Sequence, residues 1–102
     1  MAEIKETPVT IIVSGRNSSS TLRSCLESLA GQDYPIDEIL CFDNRSTDDS
    51  REIANEVAAA STVPIRIIDG GDGGTLSSAY NKGAQMTKSD IIVLCHSDCM
   101  IP

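Results

Sequence analysis

Apolar residues in this chain are gathered into short runs, and each run is followed by polar or glycine-rich residues. The first run, 9–13, is β-branched and continuous, which is typical of a strand that is covered on both faces. Three further runs have strand character as well. The pattern therefore predicts four strands, at 9–13, 36–42, 64–69 and 91–95.

A helical spacing of apolar residues separates the first two predicted strands. Residues 17–21, Asn-Ser-Ser-Ser-Thr, offer several N-caps for a helix, and Gly31 offers a C-terminal stop. The apolar positions between them recur at intervals of three and four residues, as on one face of a helix. They are Leu22, Cys25, Leu26 and Leu29.

The second predicted helix follows the second strand. Ser46 is a suitable N-cap, and Asp48 and Asp49 suit the positive end of a helix dipole. Its predicted inward stripe consists of Ile53, Val57 and Ala60. A third helix is predicted over 76–86, after the glycine-rich loop 70–74.

This alternation of strands and helices defines the expected fold class. Right-handed crossovers between successive strands place helices on both faces of a mainly parallel sheet. We therefore expect an α/β, three-layer, Rossmann-like fold with a four-stranded sheet. The length of 102 residues fits a single domain over 1–102.

Charge and composition exclude several classes of function. A formal net charge of −7, with scattered Lys and Arg, disfavours a nucleic-acid partner. The sequence shows neither a membrane-length apolar run nor the apolar core of a signal peptide, so we expect a cytoplasmic protein. Its four cysteines are interpreted as buried thiols in a reducing compartment.

The loops after the predicted strands carry the candidate chemistry, because ligands bind at the carboxyl ends of parallel strands. These loops contain the segments 14–17, 43–46, 70–74 and 96–98. A dinucleotide oxidoreductase would have its glycine fingerprint after the first strand. This chain has SGRNSSS there, and its glycines follow the third strand, which disfavours that class.

The segment 32–50, QDYPIDEILCFDNRSTDDS, resembles the Q-x-Y-P…E-I-…-D-x-x-S-T-D signature of the family 2 glycosyltransferases. The resemblance extends from Val9 to Pro102. It implies the nucleotide-binding half of a GT-A fold.

The resemblance also implies roles for residues after the first two strands. Asp43 matches the acid that recognises the nucleotide base, and a carboxylate can accept a hydrogen bond from a ring N–H of uracil. Asn17 matches a loop that borders the base. Arg16 is open to two interpretations, a contact with phosphate or base and a solvated surface side chain. Residues 46–48, Ser-Thr-Asp, are explained by helix capping alone.

Two further segments match the family's donor-binding motifs. Gly74 and the segment 79–83, with Asn81 inside it, look like the family's glycine followed by Ala-Arg-Asn-x-Gly. Tyr80 departs from this pattern because it replaces the Arg, and Lys82 offers at most a partial substitute for the missing cation.

His96-Ser97-Asp98 falls where the family has its D-x-D motif. Asp98 is expected to bind Mg²⁺ or Mn²⁺, which would neutralise the departing diphosphate. His96 replaces the first acid. An imidazole is compatible with Mn²⁺, and it could hydrogen-bond the ribose instead. A zinc site with Cys95 and Cys99 is disfavoured because alternating strand positions do not converge.

The implied function is inverting transfer of a sugar from a nucleoside-diphosphate sugar, with a UDP-sugar as the first expectation. The acceptor would be a saccharide or a lipid-linked hydroxyl, and the full-length enzyme could act at the cytoplasmic membrane face. No residue here matches the family's catalytic base, so the chain is interpreted as the donor-binding portion of a longer enzyme. The alternatives are a noncatalytic nucleotide- or sugar-binding regulatory module, and a partner that completes a site on another chain.

Overall fold

The computed structural model describes residues 9–31, 35–69, 76–89 and 91–96. Four strands and three helices alternate along these ranges, as the hydrophobic pattern predicts. In chain order they are β1 Val9–Gly15, α1 Leu22–Ala30, β2 Ile36–Asp43, α2 Ser50–Ala60, β3 Ile65–Asp69, α3 Leu76–Met86 and β4 Ile91–His96.

The described strands form one sheet with the order β3-β2-β1-β4, and every neighbouring pair is parallel. Strand β1 is central because β2 pairs with one of its edges and β4 with the other. This arrangement confirms the predicted α/β class with a parallel four-stranded sheet. It also creates a topological switch point between β1 and β4, because the chain runs from β1 to β2 and β3 on one side and then crosses from β3 to β4 on the other.

Helices cover both faces of the sheet, and strand alternation decides which residues each helix contacts. On one face α1 and α2 pack against alternate residues of β1 and β2, including Ile11 and Val13. On the other face Ala79 of α3 packs with Ile12 and Leu40. The central strand is therefore buried from both sides, which explains its continuous apolar sequence.

Gly83 allows α3 to lie close to the sheet. A Cβ atom at this position would overlap the Cδ1 atom of Ile12 and lie 3.0 Å from its Cγ1 atom. It would also lie 3.4 Å from the Cδ1 atom of Leu40. The glycine in the segment 79–83 thus has a packing role that is independent of any ligand.

Two expectations about α2 are wrong. Ser46 is not its N-cap, because the helix begins at Ser50 and Asp49 occupies the cap position without a side-chain cap hydrogen bond. The inward stripe also differs, since Ala54 and Val57 are buried whereas Ala60 is exposed. The Ser46 hydroxyl instead donates to Asp43 and accepts the backbone N–H of Asn17.

The end of α1 agrees with its prediction. The backbone N–H of Gly31 donates to the carbonyl of Glu27, which closes the last turn of the helix. At the other end Thr21 is the cap residue, and its side chain makes no cap hydrogen bond.

Cys25, Cys41 and Cys95 are buried, as the sequence predicts, whereas Cys99 lies outside the described residues. Among the residues that the structure describes, no helix combines the length and apolar character needed to cross a bilayer.

Candidate functional site

The carboxyl edge of the sheet brings together the ends of the four described strands. Gly15 of β1 pairs in register with Asp43 of β2, and Asp43 pairs with Asp69 of β3. One residue earlier on β1, Ser14 is in register with Phe42 of β2 on one edge and with His96 of β4 on the other. The loops that follow β1 and β2 therefore begin side by side, next to the switch point.

Asp43 is buried at this edge, and both of its carboxylate oxygens have partners. The Ser46 hydroxyl donates to Oδ1 at 2.5 Å, and the Ser46 backbone N–H donates to Oδ2 at 3.1 Å. The guanidinium of Arg51 lies 3.4 Å from Oδ2, and only 8% of the Asp43 side chain is exposed. A carboxylate offers about four acceptor positions, so these contacts leave room for one further donor.

Asn17 joins the loop after β1 to the loop after β2. Its Oδ1 atom accepts hydrogen bonds from the backbone N–H groups of Thr47 at 2.7 Å and Asp48 at 3.3 Å. Its own backbone N–H donates to the Ser46 hydroxyl at 2.9 Å. With φ of 53° it adopts the left-handed conformation, which asparagine tolerates better than most residues.

Asp48 makes a second connection between the same loops. Its Oδ2 atom accepts the backbone N–H of Ser19 at 3.2 Å, and its Oδ1 atom accepts the Ser50 hydroxyl at 2.5 Å. Hydrogen bonds from Ser50 and Ser19 stabilise the ionised carboxylate and lower the pKa of Asp48 to about 2, although partial burial opposes this shift. The Ser-Thr-Asp segment therefore does more than cap a helix.

Asn44 is a site candidate that the sequence analysis missed. Its Nδ2 group donates to the Ser14 hydroxyl at 3.2 Å, and its backbone N–H donates to the carbonyl of Gly15 at 3.0 Å. It helps to line a cavity of about 70 Å³ on the α3 side of the edge. The other lining residues are Phe42, Ser78, Ala79 and Lys82.

Strand alternation is the signal that could have identified Asn44. Asp43 and Asn44 are consecutive, so their side chains are directed to opposite faces of the sheet. Asp43 contacts Arg51 of α2, whereas Asn44 lines the cavity with residues of α3. A ligand above the edge could thus contact Asp43 on one face of the sheet and Asn44 on the other.

Basic side chains surround this edge. Arg16 is exposed in the loop after β1, and Arg51 of α2 is half exposed beside Asp43. The Arg45 guanidinium lies 4.0 Å from the Asp69 carboxylate, with more than half of each side chain exposed. This exposed contact contributes little to stability because water screens it.

Of the remaining predicted site residues, two lie in described elements and two lie outside the described residues. Asn81 lies on α3 and is exposed. His96 is the last residue of β4, so its backbone reaches the carboxyl edge opposite Ser14. Gly74 and Asp98 lie outside the described residues. Of the predicted site residues that the structure describes, Asn17 and Asp43 are linked to each other through their shared partner Ser46.

The predicted metal site involves His96, the last residue of β4, and Asp98, which lies outside the described residues. Within the ranges that the structure describes, no group of three or more His, Cys, Asp or Glu residues forms a metal cluster. The sequence places an imidazole and a carboxylate, His96 and Asp98, at the end of β4. This mixture of nitrogen and oxygen donors suits Mn²⁺ and is less natural for Mg²⁺.

The fold and the edge define a class of protein: a doubly wound parallel α/β domain with polar loops clustered at its switch point. Comparison with known proteins identifies the family. The sequence model described as Glycosyl transferase family 2 matches residues 10–102. The chain therefore belongs to glycosyl transferase family 2.

Named relatives agree with this assignment. The putative glycosyltransferase EpsH of Bacillus subtilis is 33% identical over 94 residues, which cover 91% of this chain and 27% of that protein. Glycosyltransferase AglE of Haloferax volcanii is 30% identical over 94 residues, or 89% of this chain and 30% of that protein. The chain thus spans less than a third of either relative.

Solved structures show the same fold. The mannosyltransferase PcManGT from Pyrobaculum calidifontis, in complex with GDP-Man and Mn²⁺, superposes with a TM-score of 0.84 at 24% identity. This match covers 96% of the present chain and 29% of PcManGT. TarS 1-349 of S. aureus with UDP-GlcNAc has a TM-score of 0.72 at 23% identity, covering 89% of this chain and 26% of that one.

Proposed function

We propose that this chain is the donor-binding portion of an inverting glycosyltransferase that uses a nucleoside-diphosphate sugar, with UDP-sugar as the first candidate. The main observation behind this proposal is that hydrogen bonds connect the loop after β1 to the loop after β2. Asn17 and Asp43 share the hydrogen-bond partner Ser46. Family membership and the nucleotide sugars bound by PcManGT and TarS support the same class of donor.

Base recognition is assigned to the adjacent residues Asp43 and Asn44. The remaining acceptor position of Asp43 suits a ring N–H of uracil. Asn44 offers an amide, which can both accept and donate, on the α3 side of the same edge. Recognition by two groups of different character favours a base whose ring N–H lies beside a carbonyl, as in uracil, thymine or guanine.

A divalent cation, Mg²⁺ or Mn²⁺, is proposed at Asp98 with His96 beside it. When bound, such an ion neutralises charge on the departing diphosphate. Gly74 and Asn81 are proposed to border the donor, as their match to the family motifs implies. The acceptor, a saccharide or lipid-linked hydroxyl, would be held by parts of the protein that these residues do not provide.

The assignment of 1–102 as one portion of a longer transferase rests on two observations. The chain spans 27–30% of its named relatives EpsH and AglE. Strand β4 also exposes the apolar side chains Ile91, Val93 and Leu94, which are 37–42% accessible. Further protein against this strand would remove that apolar surface from water.

The proposed function is tested by NMR titration of the isotope-labelled chain with UDP, GDP, CDP and dTDP, with and without Mg²⁺. We expect one nucleotide to shift the amides of Asn17, Asn44 and Asp98 together, since the first two lie in loops at one edge of the sheet and Asp98 follows β4 in the sequence. Paramagnetic Mn²⁺ should then broaden the Asp98 amide most strongly. Shifts confined to one loop, or none for any nucleotide, would contradict donor binding by this chain.

A matched pair of variants identifies the groups that contact the base. Asn44→Ala should weaken binding of the preferred nucleotide by about tenfold, as expected for the loss of roughly 1.4 kcal/mol of hydrogen bonding. The control Asn55→Ala makes the same change on the exposed part of α2 and should bind like the wild type. Equal loss in both variants would show that the effect is not local.

The regulatory alternative has one observation in its favour. Tyr80 stands where the family commonly has Arg, and it is 40% exposed on α3. A module that senses a nucleotide does not need a fixed cation on the leaving diphosphate. If the chain binds a nucleoside as tightly as its diphosphate, this alternative replaces the transferase proposal.

A further inference from the structure

Two loops at the carboxyl edge are held together by hydrogen bonds across about thirty residues of sequence. Residues 17–19 follow β1, and residues 46–50 follow β2. Asn17 supplies one connection, through its contacts with Ser46, Thr47 and Asp48. Asp48 and Ser50 supply the other. We refer to this second connection, Asp48 and Ser50 with the backbone of Ser18 and Ser19, as the loop clamp.

The buried Ser50 hydroxyl transmits the effect of Asp48 to Ser18. Only 1% of Ser50 is exposed. Its hydroxyl donates to Oδ1 of Asp48 at 2.5 Å and accepts the backbone N–H of Ser18 at 2.8 Å. The carboxylate accepts the hydroxyl proton, so a lone pair of the hydroxyl oxygen is left to face Ser18. The orientation of the hydroxyl is thereby fixed.

Asp48 also acts on the next residue directly. Its second oxygen accepts the backbone N–H of Ser19 at 3.2 Å. Two successive N–H groups of the loop after β1 therefore depend on one side chain of the loop after β2. Hydrogen bonds to a charged acceptor are stronger than neutral ones, which makes the ionised carboxylate suited to this task.

Helix capping does not account for this arrangement. One Asp48 oxygen accepts the N–H of Ser50, the first residue of α2, at 2.9 Å, which resembles an ordinary local turn. The bonds to Ser18 and Ser19 instead leave the helix and reach a different loop. The affected segment adjoins Asn17, whose left-handed backbone needs support from its surroundings.

We infer that Asp48 is a positioning residue for nucleotide binding: through Ser50 and Ser19 it holds the loop after β1 in the conformation that receives the nucleoside diphosphate. This inference rests on the proposed function. Preorganisation raises affinity because the loop need not be ordered when the ligand binds. Asp48 itself need not contact the ligand.

The test compares Asp48→Asn with Asp49→Asn in the full chain. The neighbouring Asp49 is exposed and its side chain makes no cap hydrogen bond, so it is a matched control for the loss of one charge. We measure the dissociation constant of the nucleotide preferred by the wild type, using the NMR titration described above. Asp48→Asn should weaken binding about tenfold, whereas Asp49→Asn should remain within about twofold of the wild type.

Hydrogen exchange provides a readout that a general loss of stability would not produce. In Asp48→Asn without ligand, the amides of Ser18 and Ser19 should lose protection while amides of β1 and β2 keep theirs. Ser50→Ala should expose Ser18 more than Ser19, because it removes the hydroxyl but leaves the direct bond from Ser19 to Asp48. This variant also serves if Asp48→Asn fails to fold.

The outcomes separate this inference from the proposed function. A wild-type chain that binds none of the nucleotides overturns both. A wild-type chain that binds, with unchanged affinity in Asp48→Asn and Ser50→Ala, overturns the positioning role alone. Unchanged protection of Ser18 and Ser19 in both variants also overturns it. Weaker binding combined with selective loss of those two protections supports it.

Discussion

At the scale of single residues, burial gives Cys41 a chemistry different from that of an exposed thiol. Its side chain lies in the core beneath α1 and α2, and the residue is 3% exposed. Burial raises the pKa of the Cys41 thiol to about 12, and the nearby Asp43 carboxylate and the thiolate form of Cys25 add to the effect. The native protein therefore keeps this thiol neutral and unreactive.

We predict that iodoacetamide labels Cys41 much more slowly in the native protein than in urea. The measurement is mass spectrometry on Cys99→Ser at about pH 8.5, near the ordinary thiol pKa. Above that pH the unfolded chain ionises at Cys41 and the native chain does not, so this thiol lowers native stability as pH rises toward 12. Equal labelling rates of Cys41 in the native and unfolded states would contradict its description as a buried, neutral thiol.

At the scale of elements, the contact between α3 and the sheet depends on Gly83. The helix would gain about 1 kcal/mol of intrinsic propensity from alanine at this position. The added methyl group would meet the side chain of Ile12, which is fully buried on β1 and has little room to move. Packing and propensity thus act in opposite directions at one position.

We predict that packing prevails, so Gly83→Ala loses about 1–2 kcal/mol of unfolding free energy in urea. Ile12→Val removes the Cδ1 atom that the new methyl group would overlap. Alone it should cost about 0.5–1.5 kcal/mol, and in the Gly83→Ala background it should cost less or restore stability. Strictly additive losses would show that Gly83 does not limit the approach of α3.

At the scale of the whole molecule, sugar transfer requires more groups than donor binding does. The sheet edge assembles the loops that we propose to bind the donor, whereas sugar transfer also needs a general base and a bound acceptor. No residue of the sequence matches the family's base, and Asp43 is already engaged by Ser46 and Arg51. Binding and turnover should therefore separate in this chain.

We predict that the purified 102-residue chain binds its nucleotide weakly and transfers little sugar. The measurement is release of nucleoside diphosphate from the preferred sugar donor, with saccharide acceptors and Mn²⁺ present. A matched reaction without acceptor corrects for hydrolysis of the donor. Robust acceptor-dependent release of nucleoside diphosphate would show that the chain contains a general base. It would contradict the proposal that the chain is one portion of a longer transferase.

The sequence alone determined the fold class, the order of the elements and the position of the polar loops at the strand ends. The pattern succeeded because strand and helix periodicities are local, and because parallel strands must present their carboxyl ends on one edge. The predicted strand 36–42 and helix 76–86, for example, agree with β2 and α3 to within one residue.

Only the tertiary structure decided which partners the polar residues at that edge of the sheet contact. Ser46, Asp48 and Ser50 form hydrogen bonds with residues 17–19, which are distant in sequence, and α2 begins at Ser50 without a cap at Ser46. Asn44 gained a candidate role because α3 closes a cavity over it. These hydrogen-bond partners depend on which loops the sheet brings together. The local sequence pattern does not determine which distant loops become neighbours.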